Sequence, residues 1–145
     1  MFVCLAIKNE HVQIPTGEVV PVSGTVMDFT SLHSVGDSIL KVDGGGQPGY
    51  DHTYVIDGKY LEMNQVAVLQ DGASGRKMTV VSTQPGVQLY TANWIFDTIP
   101  HAQHYGLCLE TQHYPNSVNT PHFPSTVLTK GQVYKQITKH IFETY

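Results

Sequence analysis

The stretch "KMTVVSTQPGVQLYTANW", Lys77 to Trp94, holds two runs rich in Val, Thr, Leu and Tyr, parted by one Pro85-Gly86 pair. β-Branched and aromatic residues suit a pleated surface and Pro-Gly suits a turn, so the stretch reads as two strands joined by a short connection. The same grammar extends outward in both directions. "GEVVPVSGTVMDF", "TYVIDG", "NQVAVLQD" and "QVYKQITKHIF" are set among Asp57-Gly58, Asp71-Gly72, Ser74-Gly75 and Lys130-Gly131. An all-β chain with hairpin turns is expected. A helix has room only over Phe29 to Leu40, where Gly36 interrupts it. The longest expected loops run from Val42 to His52 and from Pro115 to Pro124, and long loops on β scaffolds are where sites are commonly built.

A chain of 145 residues has the length of one domain. Charged residues make up 14% of it, the net charge is −4 and no Lys/Arg run occurs. The electrostatic footprint that nucleic acid or an anionic membrane demands is therefore missing, and neither partner is expected. The opening "MFVCLAI" is too short to span a bilayer and lacks a basic flank, so a cytoplasmic protein is expected. Two cysteines, Cys4 and Cys108, make no CxxC pair and no disulfide framework.

One residue breaks the apolar pattern. In "YGLCLETQ", Tyr105 to Gln112, a period of two puts Leu107 and Leu109 on one face and Cys108, Glu110 and Gln112 on the other. In "VQLYTANW" the same count puts Gln88, Tyr90 and Trp94 together. A carboxylate, an amide and aromatic rings on a sheet suit a sugar, whose hydroxyls seek polar partners and whose C–H faces seek rings. The plainer reading is the half-exposed face of any soluble β protein. Asp51 follows "GGGQPGY", a loop whose glycines let the backbone approach a ligand; a turn-capping aspartate is the alternative. His101, His104, His113 and His122 surround the Glu110 segment, yet "HAQH" lacks the helix of an HExxH site and no Cys/His set has zinc-ligand spacing. No metal and no cofactor are expected. GxSxG, Walker and GxGxxG motifs are absent.

Taken together, "IPTGEVVPVSGTVMDF" (Ile14 to Phe29), "GYDHTYVI" (Gly49 to Ile56), "ASGRKMTVVSTQPGVQLYTAN" (Ala73 to Asn93) and "GLCLETQHYPNSVNTPHFPSTVL" (Gly106 to Leu128) resemble the aldose 1-epimerase family, the galactose mutarotases. The segments keep the family's order from Ile14 nearly to the end. The resemblance implies a large twisted antiparallel β-sandwich with a sugar on its concave face. It implies that Glu110 is the general base and that Asp51 and Gln88 hold sugar hydroxyls. Mutarotation takes the proton from the anomeric hydroxyl while an acid protonates the ring oxygen. The ring opens, the aldehyde turns about its C1–C2 bond, and the ring closes on the other face. A base of this kind profits from a partly apolar setting, which Leu107, Cys108 and Leu109 are expected to provide.

The resemblance also marks what is missing. The family's acid is a histidine in an "HSYFNL"-like segment, and an Asn-Arg pair and a second histidine add sugar contacts; none of these segments occurs here. Residues 1–13 carry none of the matching segments, and residues 14–145 are expected to correspond to the family's C-terminal part. Thr53 stands where the family commonly has Asn after "DH", and "WIFDTIPHAQHYG" is a shortened form of the loop before the base. The expected function is interconversion of α and β aldohexoses such as galactose and glucose, weakened by the missing acid. A non-catalytic carbohydrate-binding or structural relative is the alternative. A truncated sandwich is further expected to self-associate through exposed sheet edges.

Overall fold

The computed structural model describes residues 3–9, 12–96 and 101–145. It contains the strands β1 (Val3–Asn9), β2 (Val12–Pro21), β3 (Asp51–Val55), β4 (Asn64–Asp71), β5 (Arg76–Ser82), β6 (Gly86–Tyr90), β7 (Cys108–Gln112) and β8 (Thr138–Thr144). They form a five-stranded sheet, β2-β1-β3-β6-β7, and a three-stranded sheet, β4-β5-β8. Every pairing is antiparallel. The all-β expectation is met, and the turns at Asp57-Gly58, Asp71-Gly72 and Ser74-Gly75 fall where the sequence places them, whereas Gly86 already belongs to β6 and Lys130-Gly131 leads into no strand before Thr138.

Two local readings change. The segment from Phe29 to Leu40 is no helix but two 3-10 turns, Val35–Asp37 and Ile39–Lys41. Ser34 caps the first through its hydroxyl on the Gly36 N–H, and Phe29, Val35 and Ile39 lean on the core instead of continuing a helical stripe. In "QVYKQITKHIF" only the part from Thr138 onward is strand, because β5, its partner, ends at Ser82 opposite Thr138. At the start of the chain, β1 and β2 form a hairpin with two register shifts. β2 lies at the sheet edge and carries Pro15 and Pro21. Edge strands tolerate proline because one side of the backbone needs no ladder partner.

Residues of both sheets meet in one core. Tyr54, Val87 and Leu89 from the larger sheet pack with Val66 and Val80 from the smaller, joined by Val22, Val42, Tyr50 and Ile56. A threonine bridge adds to this join: Thr111 of β7 and Ser82 of β5 both share hydrogen bonds with the Thr138 hydroxyl of β8, at 2.7 and 2.9 Å. Between the sheets lies an open cavity of about 810 Å³, lined in part by Phe29, Tyr54, Val66, Leu89, Leu107 and Leu109. It is the incompletely filled interior of the sandwich.

Candidate functional site

Register decides which side chains share a face. Antiparallel partners project to the same side of a sheet, with Cβ atoms about 4.5–5.5 Å apart. Thr53 of β3 stands opposite Gln88 of β6, and Gln88 stands opposite Glu110 of β7. In the neighbouring row Asp51 stands opposite Tyr90, and Tyr90 opposite Cys108. Asp51, Gln88 and Glu110, expected from sequence to work together, therefore occupy one face across three strands. Their leucine neighbours, Leu89 and Leu109, face the core on the other side.

The Asp51 carboxylate does not cap a turn. Its Oδ1 accepts a 2.7 Å hydrogen bond from the Gln88 amide, 37 residues away in sequence. The turn before it is held by Asp43, whose Oδ1 accepts from the Gly46 N–H at 2.7 Å. Asp51 is aimed by its backbone. Tyr50 gives its N–H to the Thr91 hydroxyl at 2.8 Å and receives Asn93 Nδ2 on its carbonyl at 3.0 Å. The Gln13 amide donates to the Asp51 carbonyl at 3.0 Å. Gly49 makes this approach possible, since a Cβ there would come within 2.0 Å of Asn93 Oδ1, and its φ of +128° suits glycine alone.

Glu110 differs from expectation in its setting. It is exposed, on β7, which lies at the edge of its sheet. Leu107 and Leu109 line the cavity on the opposite face, so no leucine wraps the carboxylate. Cys108 is exposed as well. The cavity itself opens on the core side of these strands and includes neither Asp51, Gln88 nor Glu110. The polar row, which carries the proton-accepting and hydrogen-bonding groups, is the candidate site.

His52 lies beside Asp51 but in the row of Leu89, on the core face. Its Nδ1 accepts the Asp51 N–H at 3.1 Å, which marks that nitrogen as unprotonated. Burial lowers its pKa from the usual imidazole value, against the pull of the nearby Asp51 and Asp43 charges. The other histidines are dispersed. His104 Nδ1 is 2.8 Å from the Thr91 carbonyl, His113 Nε2 is 2.7 Å from the Tyr60 hydroxyl, and His122 Nε2 is 2.9 Å from the Gly17 carbonyl. Among the described residues no three His, Cys, Asp or Glu side chains gather as a metal set would require. The loop read as shortened, Trp94 to Gly106, lies partly outside the described residues, at 97–100.

The aldose 1-epimerase family profile matches residues 7–140. The chain belongs to the aldose 1-epimerase family. It is 38% identical over 131 residues to the human galactose mutarotase and 36% identical over 135 residues to that of Sus scrofa. These matches take in 86% and 89% of this chain but only 37% and 38% of the relatives. A maltose epimerase from Levilactobacillus brevis is 31% identical over 84 residues. Among solved structures, an aldose epimerase homologue from C. elegans superposes with a TM-score of 0.83 at 20% identity, covering 98% of this chain and 43% of the homologue. The fold is thus the mutarotase β-sandwich, and the chain spans well under half the length of these relatives. No described helix is long and apolar enough to cross a membrane.

One member of the row, Thr53, has no role in the sequence reading beyond its departure from the family's usual Asn, yet its hydroxyl hydrogen-bonds Gln88 Oε1. The signal was available: in "DHT" a period of two places Thr53 beside Asp51.

Proposed function

We propose that this chain carries the base-bearing part of an aldose 1-epimerase acting on aldohexoses such as galactose and glucose. The observation that carries the reading is the shared face: an Asp51–Gln88 hydrogen bond of 2.7 Å beside a Gln88–Glu110 cross-strand pair. Glu110 takes the proton from the anomeric hydroxyl. Asp51 and Gln88 hold neighbouring hydroxyls and fix the ring so that the proton lies toward Glu110. An exposed carboxylate on an edge strand is open to a ligand as large as a pyranose.

Ring opening also needs a proton delivered to the ring oxygen. His52, the histidine nearest the row in sequence, faces the core, and no histidine belongs to the row. Residues 14–145 act in this reading as the C-terminal part of the family domain, and catalysis by this chain alone is weak. The cytosol, where free aldohexoses and a free Cys108 thiol are both at home, is its compartment. Polarimetry on α-D-glucose and α-D-galactose tests the reading: a slow, Glu110-dependent acceleration is expected. Sugar binding with no acceleration at all favours the carbohydrate-binding relative instead.

A further inference from the structure

We infer that Thr53 is a positioning residue of this site, its hydroxyl setting the Gln88 amide so that Asp51 and Gln88 present one fixed hydrogen-bonding pattern to the sugar. The inference rests on the aldohexose reading above and deepens it.

The proton inventory leaves one arrangement. An ionised carboxylate only accepts, so the Gln88 group facing Asp51 Oδ1 at 2.7 Å is the –NH₂. The amide oxygen then faces Thr53, and an amide oxygen also only accepts, so Thr53 must donate. The order Thr53 to Gln88 to Asp51 follows, each group donating to the next. A hydroxyl is the right device here because it has one proton to give. Thr53 is itself held in place. It is only 5% exposed, so water does not readily replace its hydroxyl. Its methyl lies 3.2 Å from where a Cβ would stand on Gly86, and the Tyr114 ring closes that spot at 2.9 Å. With the methyl fitted against Gly86, the hydroxyl is left to face Gln88.

The consequence is chemical. With Oε1 tied to Thr53 and one N–H tied to Asp51, Gln88 has its second N–H to offer, and it cannot exchange roles by flipping. Asp51 keeps acceptor capacity beyond the one bond it receives. A sugar thus meets a donor from Gln88, an acceptor from Asp51 and the Glu110 carboxylate across the strand. Replacing Thr53 by Val keeps shape and removes the proton, leaving the amide oxygen without its donor.

Side-chain amide resonances of ¹⁵N-labelled full-length chain test this. Solvent exchange of the Gln88 amide protons is expected to quicken about fivefold in Thr53→Val, the factor that one ordinary hydrogen bond is worth. D-Galactose or D-glucose affinity, followed through the backbone amides of Asp51 and Tyr90, is expected to weaken by about the same factor, and Thr53→Ser to restore both. Circular dichroism checks folding, and Thr53→Ala carries the test where the Val variant does not fold. Unchanged Gln88 exchange in the variants overturns the inference, as does unchanged sugar affinity with the amide loosened. If the wild-type chain binds neither sugar while Thr53→Val still frees the amide, the aldohexose reading falls and the Thr53 relay stands.

Discussion

Gln88 and Glu110 stand directly opposite one another on β6 and β7, two strands whose pairing runs unbroken from Gly86–Gln112 to Tyr90–Cys108. No bulge intervenes, so the carboxylate cannot slip to the core face without moving every side chain of β7 with it. Glu110 is therefore fixed by register alone, and it is solvent-exposed. Replacing it with Gln is expected to leave stability within about 0.5 kcal/mol, as for other exposed substitutions, while any mutarotation of glucose or galactose falls to the spontaneous rate. Polarimetry paired with a thermal melt checks both. Residual activity untouched by Glu110→Gln would remove Glu110 from the role of base.

Gly49 carries the Asp51 segment past Asn93 with no room for a side chain. A methyl at that position meets the side chain of Asn93, which is fully buried and bonded to Tyr50. Gly49→Ala is expected to destabilise by at least about 1–3 kcal/mol, the range for forcing a side chain onto unfavourable backbone. Urea denaturation gives the value, and a loss below a few tenths would show the loop to be pliant.

Stability should fall in mild acid. His52 has a folded pKa below its unfolded value of 6.5 because burial disfavours its charged form. Such a group leaves stability fully present above pH 6.5. As pH falls from there toward the folded pKa, the unfolded chain binds the proton first and stability drops. His113 is shifted in the same direction by burial and adds to the trend. The urea midpoint of His52→Gln, which keeps an acceptor for the Asp51 N–H, is expected to depend less on pH between 7 and 5 than that of the wild type. An equal dependence would assign the effect elsewhere.

The smaller sheet presents apolar groups to water. Phe142 is 76% and Ile141 44% exposed, on adjacent positions of β8 and hence on opposite faces. β8 and β4 are both sheet edges. Concentration-dependent association is expected in sedimentation velocity, reduced by Phe142→Lys, since a charge on an edge strand discourages pairing. A monodisperse monomer at high concentration would contradict it.

How much of this could be read beforehand differs from residue to residue, for physical reasons. Glu110 was legible because period two is rigid: once "CLETQ" is strand, its face follows. Gln88 was legible for the same reason. Asp51 was not decided by spacing, because a turn cap and the first residue of a strand look alike until the partner, Gln88, is known. The setting of Glu110 was misjudged because sequence neighbours in a strand point away from one another; Leu107 and Leu109 line the cavity behind it. β1 is not legible as a strand, since a short apolar run such as "FVCLAI" has no alternation to announce its pairing with β2 and β3. Thr53 was visible only as a departure from a family pattern, and its hydrogen bond to Gln88 needed coordinates.

The Ser82–Thr138 join between β5 and β8 spans 56 residues of chain. During synthesis β5 emerges first, and its outer edge waits for β8 until those residues have been added. At about 5–20 residues per second the wait is on the order of 3–11 s. Throughout it, Met78 and Val80 sit on a strand with one edge unpaired. The nascent chain is therefore most exposed to chaperones, and to mispairing with its neighbours on the same message, in the interval before Thr138 arrives.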